Sequence, residues 1–355
     1  ALLEVDEGTV PKVCEQLTPQ LVVITNFFPD QLDRYGSLET IINLVQDSLP
    51  PDAHFILNAD DPLVAQFGLG KLHTLYYGVE KTPESKVESN ESREICYCPD
   101  CGDELSYSLF HYGQLGLYGC LKCEYERPQP QVLATEVSSN LEGITFMIDR
   151  KEYYIPLQGY YNLYNALAAL TAAKRLGYKD REIAEGLKKF VPQAGRMEGF
   201  ILPEGRVTLT LVKNPTGFNQ VIQTILALKE QKIRLLIGIN DLGADGRDIS
   251  WLQDVNFELL GEEVAWIEEI VCSGLRAEDL ASRLGDAGLE SKLYIEKEPQ
   301  KALARIIENM GENETVFILP NYTLLFEIRE LLEARKVEDK GSQEESVFIR
   351  EKSKG

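Results

Sequence analysis

The sequence predicts an α/β protein: a doubly wound central domain, incomplete at its N-terminus, carries a small cysteine-bearing insertion and is followed by a second, Rossmann-like α/β domain. Short continuous apolar runs alternate with helical periodicity, the pattern of parallel strands covered on both faces. Four cysteines gather into two CxxC pairs within one stretch where that pattern breaks, and a new strand-helix series starts after Gly195-Arg196. With 355 residues and 44% apolar content, the chain can fill more than one core.

Ala1-Leu2-Leu3-Glu4-Val5 reads as a buried strand running into an acidic turn, and because the first residue is not Met an element is expected upstream. The runs Leu21 to Asn26 (LVVITN) and Phe55 to Asn58 (FILN) end in polar loops, each followed by a helical pattern. The segment Lys81 to Arg93, rich in Lys, Glu and Ser, interrupts the series and leads into an insertion over residues 94–128. Beyond Pro130, strand-like segments fall at Leu133 to Ile148 and Tyr153 to Leu157. An amphipathic helix follows from Asn162, with Leu163, Ala166, Leu167, Leu170, Ala173 and Leu176 at helical spacing. With the shorter helix Arg181 to Phe190 it closes a first domain of residues 1–195. A second domain, 196–336, has strands expected at Val207 to Val212, Ile233 to Ile239, Ile267 to Cys272, Lys292 to Ile295 and Thr315 to Leu319. Its helices are expected at Phe218 to Lys229, Ala277 to Leu284, Gln300 to Asn309 and Leu324 to Ala334. Residues 337–355 have little to bury and read as a disordered tail.

The net charge of −21 repels phosphate backbones and anionic lipid at long range, which argues against a nucleic-acid binder. No apolar run approaches the roughly 18 residues of a membrane span. Seven cysteines, clustered in so long a chain, suit a reducing compartment and a metal site, so a cytoplasmic protein is expected. Cys98-Pro-Asp-Cys101 and Cys120-Leu-Lys-Cys123 are separated by the 18 residues 102–119, a spacing that brings four thiolates to one tetrahedron and points to structural Zn²⁺. Two redox CxxC sites are the alternative. Cys96 is a spare neighbour, and Cys14 and Cys272 read as buried thiols.

Glu4-Val5-Asp6-Glu7-Gly8 falls where a strand would end, a place that holds Mg²⁺ against phosphates or is merely an acidic solvated turn. Two further segments bear on that choice, Thr25-Asn26-Phe27-Phe28-Pro29-Asp30-Gln31-Leu32-Asp33-Arg34-Tyr35-Gly36 and Asn58-Ala59-Asp60-Asp61-Pro62. Together with the Asn162 to Ala169 helix and Gly195-Arg196-Met197-Glu198, they occur in the order of the TN…DHLD…G, NxDDP, N…NALAA and GRxE segments of the Mur ligase superfamily. The chain resembles these ATP-dependent ligases. The resemblance implies that Glu4 binds Mg²⁺ and that Asn165 and Arg196 lie against the adenosine of ATP; a helix-face polar residue and a linker residue are their plainer readings. Gln31 stands where the superfamily has a metal-site histidine, which leaves the second metal position open. The phosphate-cradling GxxGK[ST] loop occurs nowhere in residues 1 to 355, and superfamily order places it upstream of Ala1.

Lys213-Asn214-Pro215-Thr216-Gly217-Phe218-Asn219 replaces the superfamily's DYAH-type segment. With the cysteine insertion, Ala244-Asp245-Gly246-Arg247-Asp248-Ile249-Ser250-Trp251 and Pro320-Asn321-Tyr322-Thr323, it resembles the MurT family, synthetase subunits of lipid II isoglutaminyl synthase. That resemblance implies amidation, with glutamine as nitrogen donor, of the D-glutamate α-carboxyl in the lipid II stem peptide, by way of an acyl phosphate, at the inner face of the cell membrane. Lys213 is a candidate for electrostatic support of phosphoryl transfer, or a solvated strand-end lysine. The three histidines, His54, His73 and His111, form no Cys-His glutaminase arrangement. The resemblance therefore implies a GatD-like class I glutaminase partner whose triad Asp248 completes; a helix N-cap or loop acid is the alternative. A folylpolyglutamate- or cyanophycin-type amino-acid ligase and a non-catalytic zinc-ribbon adaptor are the competing functions.

Overall fold

Strand order follows from where the apolar runs lie and from the crossovers between them. The computed structural model describes residues 1–28, 37–88, 96–140, 142–191, 195–226, 232–311 and 314–336. They form two compact units, one of residues 1–191 with 214–220 and one of 192–213 with the chain from 221 onward. Gln31 and the tail 337–355 lie outside the described residues.

In the first unit, β1 (Leu21–Ile24), β2 (His54–Asn58) and β3 (Thr74–Val79) lie parallel, with Val22 opposite Phe55 and Phe55 opposite Thr74. The insertion contributes a separate hairpin, β4 (Ser106–Tyr112) and β5 (Leu115–Gly119). β6 (Val132–Asn140) then joins β3 in parallel, and β7 (Gly143–Ile148) and β8 (Lys151–Ile155) continue the sheet antiparallel, giving the order β1-β2-β3-β6-β7-β8. Helix Leu38–Ser48 starts where Ser37 Oγ accepts the Thr40 N–H at 3.2 Å, and its i, i+3, i+4, i+7 set Leu38, Ile41, Ile42 and Val45 covers Phe55 and Leu57. On the other core, helix Tyr160–Arg175 buries Leu163, Leu167 and Leu170 among Phe146, Tyr153 and Ile144. Each such side chain contributes about 1.5–3 kcal/mol, and Leu167→Ala would cost about 2–5 kcal/mol through the cavity left behind.

Three expectations are corrected here. Residues 1–6 form no strand: Leu2 is 98% exposed and Glu4 is exposed, and no described strand pairs with them. Leu176 is exposed because the helix ends at Arg175 and the chain turns through Gly177 at φ 89°. Cys14 is half-buried on the short helix Val10–Gln16, while Cys272 is fully buried.

The second unit has a six-stranded sheet of β9 (Glu198–Leu202), β10 (Gly205–Leu209), β11 (Lys232–Gly238), β12 (Ile267–Ser273), β13 (Leu293–Ile295) and β14 (Glu314–Pro320). Its order is β13-β12-β11-β14-β10-β9, parallel throughout except for the β9-β10 hairpin. Leu235, Leu236 and Ile237 on central β11 are wholly buried, as a strand with helices on both faces requires. Helices Ala277–Asp286, Pro299–Glu308 and Tyr322–Glu333 return the chain between strands or close it. β11 and β14 end side by side, which sets Asn240 against Asn321 at the carboxyl edge where α/β sheets place their sites. No helix among the described residues is long and apolar enough to cross a membrane.

Candidate functional site

The sulphur atoms of Cys98, Cys101, Cys120 and Cys123 all lie within 4.8 Å of one another. Cys98 Sγ is 3.5 Å from Cys123 Sγ, and Cys101 Sγ is 3.4 Å from Cys120 Sγ, so the close contacts run between the two knuckles. A tetrahedron with metal-sulphur bonds of about 2.3 Å has edges of about 3.8 Å, which this cluster fits, whereas two independent dithiols would have no reason to converge. The Lys122 N–H points at Cys120 Sγ (3.4 Å) and lowers that thiol, while Cys101 and Cys123 are raised within the same set of sulphur contacts. Cys96 is buried beside the cluster with Leu105, Tyr118 and Tyr125.

The hairpin that follows the first knuckle is seated on the Asn58–Asp61 segment at the carboxyl end of β2. Gly116 N donates to Asp60 O (2.9 Å), Tyr118 Oη to Ala59 O (3.0 Å), and Gln114 Nε2 lies 3.4 Å from Asp61 Oδ2. Asp60 and Asp61 are both fully buried. Asp60 accepts from Val79 N (2.8 Å), Tyr164 Oη (2.6 Å) and Arg127 Nε (2.6 Å), and His111 Nε2 stands 3.9 Å away. Burial pushes the Asp61 carboxyl up to about 7, against the pull of the N–H groups of Phe27 and Leu63. Burial likewise lowers the His111 imidazole below its ordinary value. The sequence marks Asp60 only as part of Asn58-Ala59-Asp60-Asp61-Pro62, without a role, and gives none to Arg127, Tyr164 or Gln114; the available signal is the adjacent acid pair at a strand end, which calls for buried partners.

The residues expected at a nucleotide are differently placed. Glu4 lies in exposed coil, and Asn165 is half-buried on helix Tyr160–Arg175, where its Nδ2 donates to Asn162 Oδ1 at 3.5 Å. Arg196 is exposed in the turn after Gly195, whose carbonyl accepts from Leu211 N at 2.8 Å, so this turn adjoins the segment carrying Lys213. Glu198 fixes the turn by accepting from Gly195 N (3.2 Å) and from Arg329 Nε and Nη2 (3.0 and 2.8 Å). Lys213 is exposed, next to Asn214, which caps helix Pro215–Leu226 through Gly217 N (2.8 Å).

Asp248 lies in the loop after β11, and that loop is tied down. Asn240 N donates to Asn321 Oδ1 (3.2 Å) and Asn321 Nδ2 to Asn240 O (2.7 Å). Asp245 accepts from Thr323 N (2.8 Å) and Thr323 Oγ1 (2.7 Å). Asp248 itself is exposed; Ser250 N (2.8 Å) and Ser250 Oγ (2.9 Å) donate to its two oxygens and hold its carboxyl below the ordinary value. The arrangement therefore presents an ionised carboxylate at a fixed position, with lone pairs left for a donor from outside.

The family described as MurT ligase C-terminal matches residues 211–325. The lipid II isoglutaminyl synthase (glutamine-hydrolyzing) subunit MurT of Staphylococcus aureus (strain COL) is 35% identical over 335 residues, covering 94% of this chain and 74% of that protein. The chain belongs to the MurT family. The MurT subunit of Streptococcus pneumoniae (strain ATCC BAA-255 / R6) is likewise 35% identical, over 95% of this chain and 75% of that protein. Among solved structures, a pseudomurein peptide ligase type C from Methanothermus fervidus superposes with a TM-score of 0.68 at 24% identity, covering 92% of this chain and 65% of that one. MurF ligase from Thermotoga maritima in complex with ADP gives 0.61 at 13% identity over 92% and 65%. These neighbours show the Mur ligase fold. Members of the MurT family are ligase subunits, and the stretch matched by its C-terminal family takes in Lys213, Asp248, the Asn240–Asn321 pair and the Asp245–Thr323 contacts.

Proposed function

We propose that the chain is the synthetase subunit of a glutamine-dependent amidotransferase that converts the α-carboxyl of D-glutamate in the lipid II stem peptide to D-isoglutamine. A carboxylate oxygen attacks the γ-phosphorus of ATP and ADP leaves. Ammonia then attacks the acyl carbon of the acyl phosphate and inorganic phosphate leaves, so that one ATP is consumed per amide formed. When bound, Mg²⁺ would offset the charge that moves in the first step. Glu4 is assigned to Mg²⁺, Asn165 and Arg196 to the adenosine, and Lys213 to the transferring phosphoryl group. Zn²⁺ on Cys98, Cys101, Cys120 and Cys123 has a structural role in a zinc ribbon, since cysteine fills every coordination position. The second unit is read as the Rossmann-like, MurT-type domain that meets the partner, and the whole works in the cytoplasm at the inner face of the membrane.

Asp248 carries this reading. A loop acid needed only for its own turn has no call for the second layer of anchors that Asn240, Asp245, Asn321 and Thr323 supply. An exposed, ionised and fixed carboxylate suits a histidine brought by a GatD-like glutaminase: it would set the imidazole tautomer and stabilise the imidazolium while ammonia is released. In the assembled complex, Asp248→Asn should cut glutamine hydrolysis by orders of magnitude and leave amidation driven by free ammonia unchanged. Wild-type hydrolysis, or equal loss of both activities, removes Asp248 from that role.

A further inference from the structure

We propose that Gln114, at the tip of the hairpin in the cysteine insertion, is a positioning residue for the strand-end segment Thr25–Phe28, so that the insertion braces the Mg²⁺-nucleotide site as well as holding metal. This rests on the functional reading above and on the superfamily resemblance, in which the segment that begins at Thr25 carries a metal-site position, occupied here by Gln31. Gln114 is 1% exposed, and its Nε2 donates to Phe27 O at 2.6 Å. The same amide lies 3.4 Å from Asp61 Oδ2, the oxygen that accepts from Phe27 N at 3.1 Å. Phe27, Asp61 and Gln114 therefore close a ring in which both polar backbone groups of Phe27 are engaged.

The neighbouring contacts reach the same segment. Gly113 takes φ 52° at the first position of a two-residue turn, where Gly is favoured, and a Cβ there would sit 2.9 Å from Phe28 Cε1. Phe28 stacks on Tyr112 with ring centroids 5.9 Å apart. Tyr107 Oη donates to the Gln114 carbonyl at 2.8 Å, fixing the tip from within the hairpin. From the sheet side, Thr25 O accepts from Asn58 Nδ2 (3.2 Å). A hairpin that served only to link two cysteine knuckles would have no use for a buried amide at its far end, because burying one costs several kcal/mol unless its donors are met. Here the donors are met by another element's backbone carbonyl and a buried carboxylate.

The test uses the complete complex and Gln114→Met, which keeps the side-chain length and removes the donor. Two readouts are taken: amide hydrogen exchange at Phe27 and Phe28 without nucleotide, and Mg²⁺-ATP kinetics of ammonia-driven lipid II amidation. The expected result is faster exchange at Phe27 and Phe28, and a loss on the order of tenfold to a hundredfold in kcat/KM for Mg²⁺-ATP, as small misplacements of a site produce. Zinc content and glutamine hydrolysis should stay at wild-type levels, which a general loss of fold would not allow. Wild-type exchange and wild-type Mg²⁺-ATP kinetics together overturn the proposal. If the wild-type complex forms no ATP-dependent amide, the functional reading fails, and the exchange readout still decides the positioning role. Should Gln114→Met lose zinc, Tyr107→Phe takes its place: exchange at Phe27 and Phe28 between the wild-type and fully released values supports the brace, and wild-type exchange overturns it.

Discussion

Removing the guanidinium of Arg127 should destabilise the first unit more than any surface ion pair could. Asp60 is fully buried and Arg127 is 14% exposed, and Nε and Nη2 reach the same oxygen, Oδ1, at 2.6 and 2.5 Å. The other oxygen, Oδ2, keeps its bonds from Val79 N and Tyr164 Oη. Arg127→Met therefore leaves a buried carboxylate without its counter-charge but with two neutral donors. Breaking a buried pair by deleting one partner costs about 3–5 kcal/mol, and the surviving donors set the expectation at the lower end, about 3 kcal/mol. For a unit of this size that lowers Tm by roughly 6–12 °C. The assay is urea and thermal unfolding near neutral pH of wild type, Arg127→Met, Asp60→Asn and the double variant. Neutralising Asp60 removes the uncompensated charge, so the double variant should recover about 1–3 kcal/mol relative to the sum of the singles. A single-variant loss under about 1 kcal/mol, or strict additivity, would refute the reasoning, since those are the values of an exposed pair.

Three further outcomes are expected. The purified chain should bind one zinc; Cys101→Ser with Cys120→Ser should abolish binding, and chelation should also lower the unfolding temperature of the β1–β8 sheet, because the hairpin is seated on Asp60 and Asp61. Asp61, pushed up to about 7 by burial, holds a proton in the folded chain that the unfolded chain releases near pH 3.9. The stability contributed by that proton is fully present below the unfolded value and is lost as pH rises through about 7, at up to about 1.4 kcal/mol per pH unit. Asp61→Asn should flatten this slope in urea unfolding followed from roughly pH 5 to 8, and an unchanged slope would count against it. Asp245→Ala removes both bonds to Thr323, so it should cost about 1–3 kcal/mol and lower glutamine hydrolysis with Asp248 intact; full hydrolysis would show that the anchors are dispensable.

The strands legible in the sequence were those dominated by Ile, Leu, Val and Phe, even where a single polar residue such as Arg234 interrupts the run. Ile233 to Ile239 and Thr315 to Leu319 correspond to β11 and β14 within one or two residues, because central parallel strands are buried on both faces. β3 was missed: Thr74–Val79 contains two tyrosines and a glycine, and its pairing with β2 and β6 comes from tertiary neighbours. β9, Glu198–Leu202, alternates buried and exposed at the sheet edge and gave no continuous run. Cysteine spacing located the four-cysteine cluster because four ligands to one ion impose a local geometry. It carried no information on what the hairpin between the knuckles touches, and so Gln114, Arg127 and the Asp60 hub emerged only from the fold. Asp248 was proposed through family resemblance alone; the anchors of its loop lie at the ends of β11 and β14 and on helix Tyr322–Glu333, elements far apart along the chain.

The most direct test of the central claim is to incubate the complete complex with lipid II, Mg²⁺-ATP and either glutamine or ammonia, and to follow the stem peptide by mass spectrometry alongside ADP release. The D-glutamate α-carboxyl is expected to become an amide with one ADP formed per amide, from either nitrogen source. Asp248→Asn should abolish only the glutamine-driven product. Amide formed without ATP consumption, or an amino acid added to the stem in place of ammonia, would contradict that claim.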